Sequence, residues 1–323
     1  VTLAPEIQSL IEWGDAVVRR NDGLALPELR ATLRDEHDRE MQRLGVVVEQ
    51  VAATADHVVE VPGGEIAVRV FTPSGAGPHP VFVHLHGGGF VFGTIDSVFN
   101  DAKCAHICRH AGCVVVTVEY RLAPEFRFPT APEDCYAALL WTVEHTDPLQ
   151  IDAGRVAVGG ESAGGNLAAV LALMARDRGG PRLAVQLLEV PVTDISDASA
   201  AHPSVSLFGE GYGLDRAAMD EFNRTYLTDP DEGRSPYASP LLAADLSGVA
   251  PAHILTAEYD ILRDSGEAYA RRLDDAGVPV ALHRVPGQTH GSAALWQTWA
   301  PARAWMDEVV AALRLALHAP VAQ

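Results

Sequence analysis

Val156-Ala157-Val158-Gly159-Gly160-Glu161-Ser162-Ala163-Gly164-Gly165-Asn166 is an apolar strand that runs into Gly-x-Ser-x-Gly and then into an Ala/Leu-rich helical stretch. The pattern predicts a nucleophile elbow, a strained strand-to-helix turn that lifts a serine hydroxyl clear of the backbone. Gly160 and Gly164 fit because so tight a turn leaves no room for a Cβ beside Ser162. The N-terminus of the following helix directs free N–H groups at developing negative charge. Gly-x-Ser-x-Gly by itself is common; between a strand and a helix it becomes informative.

Upstream, His86-Gly87-Gly88-Gly89-Phe90 directly follows the apolar strand Val81 to Leu85. Three glycines let a backbone approach a substrate and aim N–H groups inward. An oxyanion hole needs such donors about 3 Å from the developing alkoxide. Gly88 and Gly89, with the Ala163 N–H, are the expected donors. A phosphate cradle is the competing reading, and the glycines lack the Gly-x-Gly-x-x-Gly or Gly-Lys-Ser/Thr continuation it requires.

A serine hydroxyl also needs a base, and in this kind of fold the acid and then the histidine follow it along the chain. Asp260 follows the strand His253 to Ala257, and His290 follows the strand Val280 to Val285. Each is expected in a loop at a strand's C-terminal end, on the side to which the elbow points. His290 would take the serine proton and return it to the leaving group, with Asp260 holding the imidazole tautomer. Glu258 and Asp264 compete for the acid role. Glu258 lies nearer the strand and Asp264 suits the start of the next helix, so Asp260 is preferred. His84 precedes the serine, His202 lies in a lid-like insertion and His283 falls inside a strand, which makes each a poorer base.

The rest of the chain alternates buried-strand runs with helical stretches, the pattern of an α/β fold with a mostly parallel sheet and helices on both faces. Further strands are expected at Val58 to Val61, Ile66 to Phe71, Val114 to Val118 and Leu183 to Val190. Helices are expected near Phe99 to His110, Pro132 to Glu144, Ala163 to Arg176, Ser265 to Ala276 and Pro301 to His318. Residues 1–50 read as amphipathic helices. Between Thr193 and Leu241 the rhythm breaks for about fifty residues, far more than a strand-to-strand connection needs, with one clear helix at Arg216 to Tyr226. Phe208, Tyr212, Phe222 and Tyr226 in this stretch call for burial and argue against a disordered loop. The division is therefore 1–50 as the N-terminal helical part of a cap, 51–192 with 242–323 as the catalytic domain, and 193–241 as the cap or lid insertion. Phe90, Phe208 and Tyr212 are the expected pocket walls.

A formal net charge of -19 repels phosphate backbones and anionic lipid, so neither nucleic acid nor a membrane is an expected partner. No stretch reaches the roughly 18 to 20 apolar residues of a membrane span, and Val1 to Ile11 lacks a basic n-region. A cytoplasmic location is the expectation. Cys104, Cys108 and Cys113 lie close to His106 and His110, which raises a zinc reading. Without paired Cys-x-x-Cys spacing, these thiols and Cys135 read as small, reduced core residues.

Together these motifs resemble the hormone-sensitive-lipase-like family of α/β hydrolases. The likeness is carried by His86 to Phe90, Glu119-Tyr120-Arg121-Leu122-Ala123-Pro124-Glu125, Gly160 to Asn166, Ser235-Pro236-Tyr237-Ala238-Ser239-Pro240-Leu241, Asp260 to Asp264 and His290-Gly291. It implies an eight-stranded sheet, a cap built from the N-terminal helices and the insertion, and no cofactor; no metal is expected on the cysteine spacing above. It also implies hydrolysis of short-chain acyl esters of small molecules, acetyl esters in the actinobacterial type, and homodimers of the kind such proteins often form through the last strand and neighbouring helix. Two competing functions are a lipase for longer chains and a ligand-binding protein on a hydrolase scaffold. Two residues depart from the pattern. Glu161 stands where Asp is commoner, and Glu189 interrupts an apolar strand, where it either faces outward or needs a buried partner.

Overall fold

The computed structural model describes residues 2–319. Ten α-helices and eight strands alternate along them. The strands are β1 (Ala53–Val61), β2 (Gly64–Thr72), β3 (His79–Leu85), β4 (Val114–Val118), β5 (Ile151–Glu161), β6 (Leu183–Glu189), β7 (Ala252–Tyr259) and β8 (Val280–Thr289). They form one sheet in the order β1-β2-β4-β3-β5-β6-β7-β8. β1 and β2, and β2 and β4, pair antiparallel; from β4 across to β8 all neighbours are parallel. This is an α/β-hydrolase fold, with β3, β4 and β5 at its centre. β3 and β4 are buried along their whole length, as an apolar run covered on both faces must be.

The helices are α1 (Pro5–Arg20), α2 (Leu26–Arg43), α3 (Val98–Ile107), α4 (Thr130–Glu144), α5 (Thr146–Leu149), α6 (Ala163–Asp177), α7 (Pro203–Phe208), α8 (Arg216–Tyr226), α9 (Arg263–Asp275) and α10 (Ala300–His318). On one face of the sheet α4, α6 and α9 pack over Val81, Val83, Val116, Val158 and Ile254. On the other, α3 and α10 cover Phe82, Val115, Ala157, Leu187 and Leu255. α6 is a run of Ala, Leu and Met with strong helical propensity, and all but its last two residues are buried. α10 presents Trp305, Val309 and Leu313 as one apolar stripe.

The helix expected to reach His110 changes character on the way. Ser97 caps α3 by accepting from the Asn100 N–H at 3.1 Å, and the last turn, Cys108–Gly112, is π-helical. All four cysteines are buried and unpaired, and burial pushes the Cys108 thiol up to about 12.

The stretch 193–241 is ordered. It carries α8 as expected and also the short helix α7, which the mixed Ser/Gly/Pro composition concealed. Tyr226 is fully buried and stacks on Phe90, with ring centroids 3.9 Å apart and planes 6° apart. The N-terminal helices are fastened too. Arg30 on α2 donates to the carbonyl oxygens of Val91 and Ala123 and to both oxygens of Glu125, beside the glycine loop. Among the described residues, no helix is long and apolar enough to cross a membrane.

Candidate active site

β5 ends at Glu161, and the chain turns through Ser162, whose φ of 57° lies in the left-handed region. A non-glycine residue is held there only when its surroundings over-determine it. They do: the Ser162 N–H donates to the Glu189 carbonyl at 2.9 Å, and its carbonyl accepts from Asn166 N at 3.0 Å and Val192 N at 3.2 Å. The Asn166 side chain ties the turn further, donating to the Val192 and Ala238 carbonyls at 2.7 and 2.8 Å. Gly160 and Gly164 have a sharper reason to be glycine than crowding at the serine. A Cβ on either would come within 2.1 or 1.9 Å of the Leu85 carbonyl oxygen, because the elbow lies directly on the end of β3.

His290 stands one residue beyond β8, with Nε2 2.9 Å from Ser162 Oγ and Nδ1 3.0 Å from Asp260 Oδ2. Asp260, just past β7, is buried and accepts at its other oxygen from the Leu262 N–H at 2.9 Å. Three strand ends thus bring hydroxyl, imidazole and carboxylate into one hydrogen-bonded line. The rival groups are engaged elsewhere. Glu258 accepts from the Gly287 N–H at 2.7 Å and latches the turn before His290. Asp264, in the first turn of α9, accepts from the Ser204 N–H at 2.8 Å and so anchors α7. His84 is buried against Thr117, with Nδ1 3.3 Å from the hydroxyl, and burial with the nearby Lys103 charge pushes it down to about 3. His202 faces Asp194, and His283 faces Glu308.

The glycine loop lies against the elbow: a Cβ on Gly87 would stand 3.6 Å from Ser162 Cβ. Gly88 and Gly89 have φ of 123° and 61°. A Cβ on Gly88 would meet the Phe92 carbonyl at 2.2 Å, and one on Gly89 would meet the Phe222 ring at 2.6 Å. The Gly88 carbonyl is turned into the loop, accepting from the Val91 and Phe92 N–H groups. His86 steadies the loop by stacking on Tyr120 at 4.3 Å, while the Tyr120 hydroxyl donates to the His86 carbonyl at 2.8 Å. Ala163 is the first residue of α6, where a helix has unused N–H groups.

A cleft of about 260 Å³ opens on Ser162, lined by Gly89, Phe90, Val192, Leu214, Met219, Phe222 and Asn223. Met219 and Asn223 also border a larger neighbouring space of about 430 Å³ with Asp194, His202 and Arg216, which contains none of the three line-up residues. Of the expected walls, Phe90 is one. Phe208 and Tyr212 are not: they pack edge-on or tilted against Tyr259, and Arg263 lies over the Phe208 ring. Leu214, Met219 and Phe222, from α8 and the residues before it, take that place. The helical spacing of Met219 and Phe222 was the available signal.

Below the elbow lies a cluster that sequence reasoning missed. Lys103 on α3 is buried and bonds Glu161, and its Nζ is 2.8 Å from Glu189 Oε1. Glu189 is 3% exposed, and its other oxygen accepts from the Trp305 indole N–H at 2.7 Å. The outward-facing reading of Glu189 is therefore wrong; it has partners from two helices. Burial alone would lower the Lys103 pKa, but the two carboxylates outweigh it and raise it. Burial likewise pushes the Glu161 carboxyl up, and the Lys103 charge overrides this and holds it at about 2.

Comparison with known proteins gives the family. Residues 82–294 match the family described by the alpha/beta hydrolase fold. The chain is 45% identical over 259 residues to the carboxylic ester hydrolase LipN of Mycobacterium tuberculosis, covering 78% of this chain and 68% of that protein. It is 38% identical over 299 residues to an ethyl acetate hydrolase of Pseudomonas putida, covering 90% and 92%. Among solved structures, a hyperthermophilic esterase of Pyrobaculum calidifontis superposes with a TM-score of 0.87 at 35% identity, covering 97% of this chain and 98% of that one. The chain belongs to the α/β-hydrolase family. Within it, the chain groups with carboxylic ester hydrolases.

Proposed function

We propose that the protein is a serine carboxylesterase that cleaves short-chain acyl esters of small alcohols, acetyl esters foremost, through an acyl-enzyme intermediate. The observation that carries the reading is His290, hydrogen-bonded to Ser162 Oγ on one ring nitrogen and to Asp260 on the other. His290 takes the Ser162 proton as Oγ attacks the ester carbonyl, then gives it to the leaving alcohol; water, activated by the same base, releases the acid. Asp260 fixes the tautomer and stabilises the imidazolium. The N–H groups of Gly88, Gly89 and Ala163 hold the oxyanion. Because the base must be neutral, the rate falls on acidification.

The short acyl preference is supported by a small cleft closed by Phe222, Leu214 and Met219, and by likeness to the ethyl acetate hydrolase. At the level of one protein, heroin esterase, an acetyl esterase, is a candidate likeness, and only the acyl preference is carried over from it. Residues 1–50 and 193–241 together form the cap, a role consistent with Arg30 and with the Phe90–Tyr226 stack. Homodimers pair through β8, one edge of the sheet, and its neighbouring helix, and the protein works in the cytoplasm. A binding-only relative would lack the base, and His290 is in place. Turnover of p-nitrophenyl acetate well above that of the palmitate ester is expected. Preference for palmitate would make it a lipase, and no turnover of either would leave a binding protein.

A further inference from the structure

His253 on β7 and His283 on β8 lie on the sheet face covered by α10. Register explains why they meet: His253 pairs with Ala281 and Leu255 with His283, so the two imidazoles are diagonal neighbours. Their rings stack with centroids 4.9 Å apart. Glu308 of α10 points between them, with Oε1 3.0 Å from His253 Nε2 and 3.5 Å from His283 Nε2. All three ligand atoms lie within 4.8 Å of one another.

A mere ion pair accounts poorly for this arrangement. His253 Nε2 is buried, and among the described residues it has no partner of hydrogen-bonding geometry. The spacings are those of ligands around an ion: a tetrahedral site with bonds of about 2.0–2.2 Å has ligand atoms about 3.4 Å apart. We infer that His253, His283 and Glu308 form a binding site for a divalent cation of the zinc class, with water completing the tetrahedron. His283 is half-exposed, which leaves it room to close on an ion from the solvent side.

Glu49, His106 and His110 make a similar group, but there each imidazole already has a hydrogen bond to the carboxylate and Arg109 lies 3.2 Å from it. A guanidinium at that distance occupies the place of a cation. The inferred site also has structural reach. It would join α10 to the two strands whose far ends carry Asp260 and His290, and so brace the part of the sheet that holds them.

The test is calorimetric titration of the full, tag-free chain with Zn²⁺, and Co²⁺ absorption to report tetrahedral geometry. One equivalent per chain should bind, Mg²⁺ should not compete because it prefers six oxygen ligands, and Zn²⁺ should raise Tm. His283→Ala and Glu308→Gln, both at half-exposed positions, should each weaken binding roughly tenfold or more and abolish the Tm shift. His110→Ala should change neither. No saturable Zn²⁺ binding, or binding lost in His110→Ala and kept in His283→Ala, would overturn the assignment.

Discussion

Glu161 and Ser162 are adjacent, yet they belong to opposite sides of the sheet's end and to two kinds of polar cluster. Ser162, turned by its positive φ, meets His290 and Asp260 beside a cleft. Glu161 turns toward Lys103, which also holds Glu189, in a cluster closed by Trp305. The first cluster comes from loops after β5, β7 and β8 and opens to substrate. The second comes from β5, β6, α3 and α10, with Lys103 and Glu189 buried and Glu161 partly buried. The difference teaches that one sharp turn does two jobs: the same backbone that exposes a hydroxyl drives its neighbour's carboxylate into the protein, and that carboxylate must find a cation. The Ser162 N–H donation to the Glu189 carbonyl links the clusters through the main chain.

The contrast makes separable predictions. Ser162→Ala should lower kcat by several orders of magnitude with little change in Tm, since the hydroxyl contributes chemistry rather than packing. Near-normal turnover would dissolve the distinction. Lys103→Met should do the reverse, removing about 3–5 kcal/mol of stability by leaving the buried Glu189 and the partly buried Glu161 without their cation. Denaturant unfolding measures that loss, and kcat of the remaining folded protein should fall far less than in Ser162→Ala. A stable Lys103→Met would mean the cluster is slack.

Acid sharpens the same point. A carboxyl whose folded pKa is depressed adds stability that is present above its unfolded pKa and disappears as pH falls through the folded one. For Glu161 that window runs from about pH 4.5 down to about pH 2. Wild-type stability should decline across it, and Glu161→Gln should flatten that part of the profile. The smallest effect belongs to the cleft. Phe222→Ala should raise the rate on butyrate relative to acetate by roughly tenfold or less, as a hydrophobic pocket discriminates weakly between chain lengths. An unchanged ratio would place the acyl chain elsewhere.

The two clusters were not equally legible. Ser162, Gly88 and Gly89 announce themselves because the backbone geometry they need admits few residue types. Asp260 and His290 follow because their place after strands is fixed by fold order. All eight strands were readable: β3 and β4 as apolar runs buried on both faces, and the largely exposed β1 and β8 from short apolar stretches bounded by turn residues. Lys103 was not: a lysine in a helix usually faces water, and only the register of α3 over β5 and β6 turns it inward. Glu189 was seen as an anomaly, but its partners lie far away in the chain, so its direction could not be read. The pocket walls failed for a related reason. Aromatic residues in the 193–241 stretch signal burial without saying against what, and Phe208 and Tyr212 found Tyr259 while Phe222 found Gly89.

The most direct measurement is covalent trapping with a fluorophosphonate, followed by peptide mass spectrometry. One adduct per chain on the peptide containing Ser162, absent in Ser162→Ala and slowed in His290→Ala, is the expected result. An adduct on a different residue, or full esterase activity in protein quantitatively labelled at Ser162, would contradict it.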